Sequence, residues 1–317
     1  MDWFGLRVDG PLVVIRALHF FATAVVAGSL IFRAVVAEPA LRSTQGDAMV
    51  VRSQILLTAW TGLVIAAVSG AIWFWLQAAS MSGLPLGEAM TSEVLLTVLN
   101  KTQFGLVLEI RLVLAIILAV CLACDRLALP RRLALASALG LAATIAWTGH
   151  AGSTPDETGI LHVTADMLHL TAAGAWIGGL ASLTWLLAGT RRDPAHASLA
   201  REVTRRFSTL GIASVGTLFS TGIVNAWILV GSLNALTATG YGRLLMLKIS
   251  LFAAMVAFAA VNRFWLTPQL MLSTEGGPQL KSLRQLTCNS VIEIALGLTI
   301  YGIVGVLGTL HPAIHFL

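Results

Sequence analysis

Charge is what this sequence of 317 residues has least of: Asp, Glu, Lys and Arg make up 11%, against roughly 25% in soluble domains. Beside 57% hydrophobic residues, that shortage excludes a water-soluble globular chain and makes this an integral membrane protein. Cysteine is almost missing as well. Cys121, Cys124 and Cys288 all lie in or near apolar runs, which excludes the disulfide framework of small secreted domains. No polar stretch is long enough for a soluble domain. There is no GxxxxGK[ST] phosphate loop and no aspartyl-phosphate motif, which removes ATP-driven pumping by this chain alone. The net charge of +5 does not indicate nucleic acid, because the basic residues form short blocks between apolar runs, as membrane topology requires.

What is present is a series of eight apolar runs, at about 11–37, 54–79, 102–124, 132–151, 160–189, 206–231, 243–266 and 285–309, each near the 20 residues that cross a bilayer. The first is followed by AVVAEPA, which resembles a cleavage site, but it is too long for a signal peptide and is expected to stay as a helix. Gly83 to Asn100 is less apolar, carries Glu88 and Glu93, and is expected to form a loop with a short interfacial helix. The predicted fold is all-α: a single membrane domain over residues 1–317 with eight transmembrane helices in the lipid bilayer.

Fourteen of the twenty basic residues sit in the last turns of runs 1, 3, 5 and 7 or in the loops after them. They are Arg33, Arg42 and Arg52; Arg126, Arg131 and Arg132; Arg191, Arg192, Arg201, Arg205 and Arg206; and Arg263, Lys281 and Arg284. The positive-inside rule puts these in the cytoplasm, so both termini are expected on the outer, periplasmic side. Six of the seven histidines then fall at or near the outer half, with only His196 cytoplasmic. That distribution suits a site loaded from outside.

The halves resemble each other. LHFFATAVVAGSL (Leu18 to Leu30) aligns without gaps with LHLTAAGAWIGGL (Leu168 to Leu180), pairing His19 with His169. Phe104-Gly105 followed by Arg111 matches Tyr241-Gly242 followed by Lys248, and Asp125-Arg126 matches Asn262-Arg263. Two parallel four-helix repeats are predicted, about 11–151 and 160–309. His19 and His169 would then share a depth of roughly 13 Å, from about 1.5 Å per helical residue.

The segment richest in chemistry runs from Trp147 to Leu180. His162, Asp166 and His169 are spaced i, i+4 and i+7, which stacks them on one helix face. A loop of about ten residues would return His150 towards them. Ionisable groups in hydrocarbon need partners, a cavity or a metal. The set His19, His150, His162, Asp166 and His169 suits Cu(II) or Zn(II). A lone membrane histidine more often only hydrogen-bonds across the bundle, and clustering is what favours a metal. Asp166 has two other roles open to it: orienting a histidine ring, or pairing with Arg16 at the equivalent position of the first repeat.

Glu109, Arg111, Lys248 and Glu293 also lie inside the runs, as ion pairs or lining a path. Glu109 and Arg111 are only two apart and cannot face each other. Asn225 and Asn262 read as inter-helix hydrogen bonders, and Gly28, Gly178 and Gly179 as points of close helix contact. Trp73, Trp75, Trp176, Trp185 and Trp227 read as packing or interfacial residues. His311 and His315 read as part of a frayed terminus. The CxxC of Cys121 and Cys124, with Cys288, offers thiolates for Cu(I) at an inner exit site, or simply small buried hydrophobes.

Several motifs in order resemble the copper resistance protein D family: GHA after run 4, DxxHL entering run 5, WxGGL soon after, RFSxLG at run 6, then YGRLLxxK and NRFxLxP. The resemblance covers nearly the whole chain. It implies an eight-span bacterial inner-membrane protein, not an enzyme, that handles copper between periplasm and cytoplasm. It also implies a small periplasmic copper-binding partner of the copper resistance C type. No such domain occurs in these 317 residues, so it would act in trans. Two other classes stay open. His19 and His169 could hold a b-type haem, making an electron-transfer protein or metal reductase. Alternatively, the chain could dock and assemble a periplasmic copper carrier without moving copper.

Overall fold

In a computed structural model that describes all residues except 1, 4, 5, 8, 45–47, 191–196, 273–276 and 317, eight helices are long and apolar enough to span a membrane. They are span 1 (Gly10–Ser43), span 2 (Ala48–Ser82), span 3 (Gln103–Ala123), span 4 (Ala128–Thr148), span 5 (Asp156–Gly189), span 6 (Ala197–Val230), span 7 (Gly240–Leu272) and span 8 (Gln279–Leu307). A two-residue antiparallel pairing of Asp2–Trp3 with Leu6–Arg7 precedes span 1. The segment between spans 2 and 3 holds a short 3-10 turn, Glu88–Met90, and a helix, Ser92–Lys101.

The helices begin and end where local chemistry dictates. Asp9 caps span 1, its side chain accepting from the Leu12 N–H, with Pro11 in the first turn. Thr102 and Thr239 cap spans 3 and 7 alike, each Oγ1 accepting from the N–H three residues on, at 3.0 Å in both cases. Spans 2 and 6 end on Gly83 (φ 69) and Gly231 (φ 71), whose left-handed backbone glycine adopts without steric cost. Most spans extend further than the apolar runs at one end or both. Spans 1 and 7 continue through single π-helical segments, Arg33–Ala37 and Asn262–Leu266, so Arg33 and Arg263 sit on helices rather than in loops. Spans 5 and 6 begin earlier than hydropathy alone indicated, at Asp156 and Ala197. Arg191, Arg192, His196 and Leu317 lie outside the described residues.

Spans 1 and 5 form the centre, with 72% and 67% of their most apolar stretch buried, against 17% for spans 6 and 7. Span 1 packs on spans 2, 4, 5 and 8, while span 5 packs on spans 6, 4, 1 and 8; spans 3 and 4 pair, as do 7 and 8. Lipid tails are as apolar as leucine, so close packing rather than water exclusion holds helices together here. The tightest point is the glycine contact of Gly28 with Gly174 and Gly178 between spans 1 and 5.

At the end of the bundle where span 1 finishes, Arg33 makes a two-pronged salt bridge with Asp125, which follows span 3, and lies 3.5 Å from Glu38. Glu38 in turn accepts from Arg52 of span 2 at 2.7 and 2.9 Å. This network fastens the end of span 1 to the start of span 2 and the end of span 3. It also explains why a buried arginine is tolerated there.

Candidate functional site

Two histidines on the central helices occupy matching settings with different chemistry. In the first half, His19 Nδ1 is 2.9 Å from the Ala66 carbonyl and 3.2 Å from Ser69 Oγ of span 2. A carbonyl only accepts, so Nδ1 carries the proton and Nε2 presents its lone pair. Arg111 of span 3 fills that lone pair, its Nη2 lying 2.7 Å away. The same guanidinium donates to the Leu141 carbonyl at 2.5 Å and to Thr144 Oγ1 at 2.9 Å. His19 therefore has both ring nitrogens in use.

In the second half, His169 Nδ1 is 2.9 Å from Thr221 Oγ1 of span 6. That hydroxyl already donates to the Thr217 carbonyl at 2.6 Å, so it accepts from His169 Nδ1–H and the lone pair is again on Nε2. Among the described residues, nothing hydrogen-bonds to this Nε2. Lys248, at the position of Arg111, acts electrostatically on His169 and Asp166 without a salt bridge to either. Asp166 accepts from Asn225 Nδ2 at 3.1 Å.

Two turns towards the start of span 5, the pattern repeats. Thr154 Oγ1 donates to the His150 carbonyl at 3.0 Å and lies 2.8 Å from His162 Nδ1. The hydroxyl proton is committed, so His162 Nδ1–H donates to it and Nε2 keeps the lone pair. His162 is 1% exposed, and its Nε2 has no hydrogen-bond partner among the described residues. His150 is its electrostatic neighbour, with Nε2 3.1 Å from the Leu307 carbonyl and its ring 6.1 Å from that of Tyr241. Span 5 thus carries two histidines in the same tautomer, each oriented by a threonine, with Asp166 between them.

The remaining expected partners are not brought together. Arg16 does not pair with Asp166; it donates to the Gly308 carbonyl at 3.1 Å and lies over the rings of Phe20 and Trp73. Among the described residues, no three His, Cys, Asp or Glu side chains are close enough to hold one metal ion. Cys121 is buried in the apolar cluster of spans 1 to 4, Cys124 and Cys288 are exposed, and spans 3 and 8 are not packing neighbours. Glu109 is exposed on span 3 and Arg111 buried, as their spacing requires. His311 is exposed, and the side chain of His315 lies outside the described residues. A haem does not fit the pair, because His19 has no free nitrogen for iron.

Ser69, Thr154 and Thr221 were not singled out from the sequence, although a signal was present for Ser69 and Thr221. Ser69-Gly70 followed by Trp73 and Trp75 aligns with Thr221-Gly222 followed by Asn225 and Trp227. In that alignment Arg16 over Trp73 corresponds to Asp166 on Asn225: a cation on an aromatic ring in one case and a carboxylate on an amide in the other.

Comparison with known proteins gives concordant matches. The sequence model of copper resistance protein D matches residues 201–307, and that of the copper resistance protein D-like N-terminal domain matches residues 7–160. Copper resistance protein D of Pseudomonas syringae pv. tomato is 28% identical over 273 residues, covering 84% of this chain and 86% of that protein. Inner membrane protein YebZ of Escherichia coli (strain K12) is 30% identical over 215 residues, 67% of this chain and 70% of that protein. Copper transport protein CutJ of Bacillus subtilis (strain 168) is 39% identical over 124 residues, which is 39% of this chain but 22% of that longer protein.

Proposed function

Because this chain belongs to the copper resistance protein D family, we propose that it moves copper across the inner membrane, accepting the ion on span 5 from the periplasmic side. It is a multi-pass membrane protein of copper homeostasis and not an enzyme. Copper is the cargo. His162 and His169 would present Nε2 to it in succession, with Asp166 supplying negative charge between them. A cargo ion must also leave, so a file of weak partial sites serves better than a closed cage of three ligands. The observation that carries this proposal is the contrast between halves: His169 keeps an unengaged Nε2, whereas Arg111 occupies that of His19. His150 stands at the outer mouth, where a periplasmic copper carrier would deliver. The halves themselves we take to be a duplicated four-helix unit, supported by the matched caps at Thr102 and Thr239 and the matched settings of His19 and His169.

The test is bound copper per folded protein. His162→Ala and His169→Ala should each lower it at least tenfold while the protein still inserts and accumulates, since neither ring bridges helices through both nitrogens. Normal copper stoichiometry in the double variant would end the assignment. Copper accumulation by vesicles containing only this protein separates transport from mere docking of a carrier.

Orientation has its own check. A reporter fused after Leu317 should register as external and one placed between Arg191 and Arg206 as cytoplasmic, from the distribution of basic residues. The reverse pattern would move the proposed loading face to the cytoplasm.

A further inference from the structure

We propose that Glu293 is a proton-binding site at the centre of the second half. It lies at the midpoint of Gln279–Leu307, about 21 Å along the helix from either end, and is 1% exposed. Its carboxyl is held entirely by neutral donors. Trp176 Nε1–H of span 5 donates to Oε2 at 3.2 Å, and Asn262 Nδ2–H of span 7 donates to Oε1 at 2.7 Å. Asn289 Nδ2–H donates to Asn262 Oδ1 at 2.9 Å, which fixes the amide so that its donor end faces the carboxyl.

Among the described residues, no cation forms an ion pair with it. The charged and titratable groups on the packed helices are committed elsewhere: Arg16 to the Gly308 carbonyl, His19 to Arg111, Arg33 to Asp125, His169 to Thr221 and Arg263 to Ser208. Lys248 faces Asp166. On span 8 itself, Lys281 and Arg284 are exposed near the inner end. A carboxylate at this depth would place unbalanced charge where the bilayer tolerates it least. A proton on Oε2, the oxygen with the longer bond, removes that charge and leaves both hydrogen bonds in place.

The position suggests a use. Glu293 ties together spans 5, 7 and 8, and Asn262 opens the π-helical segment of span 7, a kind of irregularity often found at functional sites. Trp176 is two helical turns inward of His169 on the same helix. Proton uptake forms one O–H bond, with the proton drawn from water on one side, and release returns it to water. Each event changes how strongly the carboxyl holds Trp176 and Asn262, and so biases the helices that carry His169 and Lys248. The proton site stands without copper; its service as a coupling group rests on the transport proposal above.

Infrared spectroscopy of the full-length protein in lipid at neutral pH, with glutamate side chains labelled with carbon-13, reads the proton directly. A protonated-carboxyl band shifted by the label should appear, persist in Glu109→Gln, and vanish in Glu293→Gln. Because Glu109 is exposed, Glu109→Gln should fold normally and assigns the band even if the Glu293 variant does not. Absence of a shifted band, or its loss in Glu109→Gln, overturns the proton site. In vesicles, Glu293→Gln should still bind copper, while its copper flux loses a several-fold dependence on an imposed pH gradient. Flux that ignores the gradient in the unmodified protein overturns the coupling role. Absence of any flux sinks the transport proposal and leaves the infrared result to judge Glu293 alone.

Discussion

Gly28→Val is expected to leave almost no folded protein in the membrane. A Cβ at Gly28 would stand 2.7 Å from the Gly178 Cα and nearer still to the Gly174 carbonyl, and one at Gly178 would stand 2.7 Å from the Ala24 carbonyl. All of these are backbone atoms, so no rotamer change relieves the clash. The central pair of helices must move apart, and the van der Waals contact that holds them weakens along its whole length. Overpacking in ordinary cores costs about 1–3 kcal/mol because side chains can yield. Here they cannot, and about 4 kcal/mol or more is expected, the range of rare, severe substitutions. Gly211→Ala and Gly216→Ala on span 6 provide the contrast. Nothing lies within 4 Å of a Cβ at either position, so helix propensity should make each neutral or stabilising by up to about 1 kcal/mol. The thermal unfolding midpoint of detergent-purified protein, with the yield of monodisperse material, measures both. If Gly28→Ala is as stable as Gly211→Ala, the contact between spans 1 and 5 is not as close as described.

The second large effect separates the two histidines that the sequence makes look equivalent. His19→Ala should destabilise the protein by about 3 kcal/mol while copper bound per folded molecule stays normal. Removing the ring takes away the acceptor on one arm of a buried guanidinium, and bonds to charged groups contribute about 1.5–3 kcal/mol. It also empties the space against Phe20 and Trp73, whose rings lie 6.3 and 5.3 Å from the imidazole. Arg111→Met should cost less than breaking the pair from the histidine side, since it removes the buried charge along with its bonds. The double variant should therefore be more stable than the sum of the single effects predicts, a coupling readable in a double-mutant cycle. A stable His19→Ala protein that has lost copper would reverse the assignment and return His19 to the transport path.

How far the sequence carries is visible in particular residues. Its apolar runs located all eight helices, and the loop after Gly83 contains the short helix that its composition indicated. Helix ends were less legible. By sequence Arg33 and Arg263 group with the basic loops that follow runs 1 and 7, yet a π-helical segment carries each helix past them and lets the side chain reach Asp125 or Ser208. The i, i+4, i+7 spacing placed His162, Asp166 and His169 on one helix, but the spacing was silent on which ring nitrogens are free. That depended on Thr154 and Thr221, which contribute a hydroxyl from another segment and look like ordinary helix or loop residues in a one-dimensional sequence. The expected pairing of Arg16 with Asp166 failed for the same reason. Positions that align in sequence sit on different helices, each with its own neighbours, Trp73 for one and Asn225 for the other.

By itself, the sequence determined the class, the number and order of the spans, and the family, because a bilayer imposes a length and polarity rule on every crossing segment that acts residue by residue along the chain. Only the tertiary structure decided the roles of the polar groups inside those spans. A buried imidazole, guanidinium or carboxyl is defined by whatever lies within about 3 Å of it. For His19 that is Arg111, ninety-two residues away, and for Glu293 it is Trp176, one hundred and seventeen residues away. Such contacts follow from helix packing rather than from spacing along the chain, and they are what leave His169 open while His19 is closed.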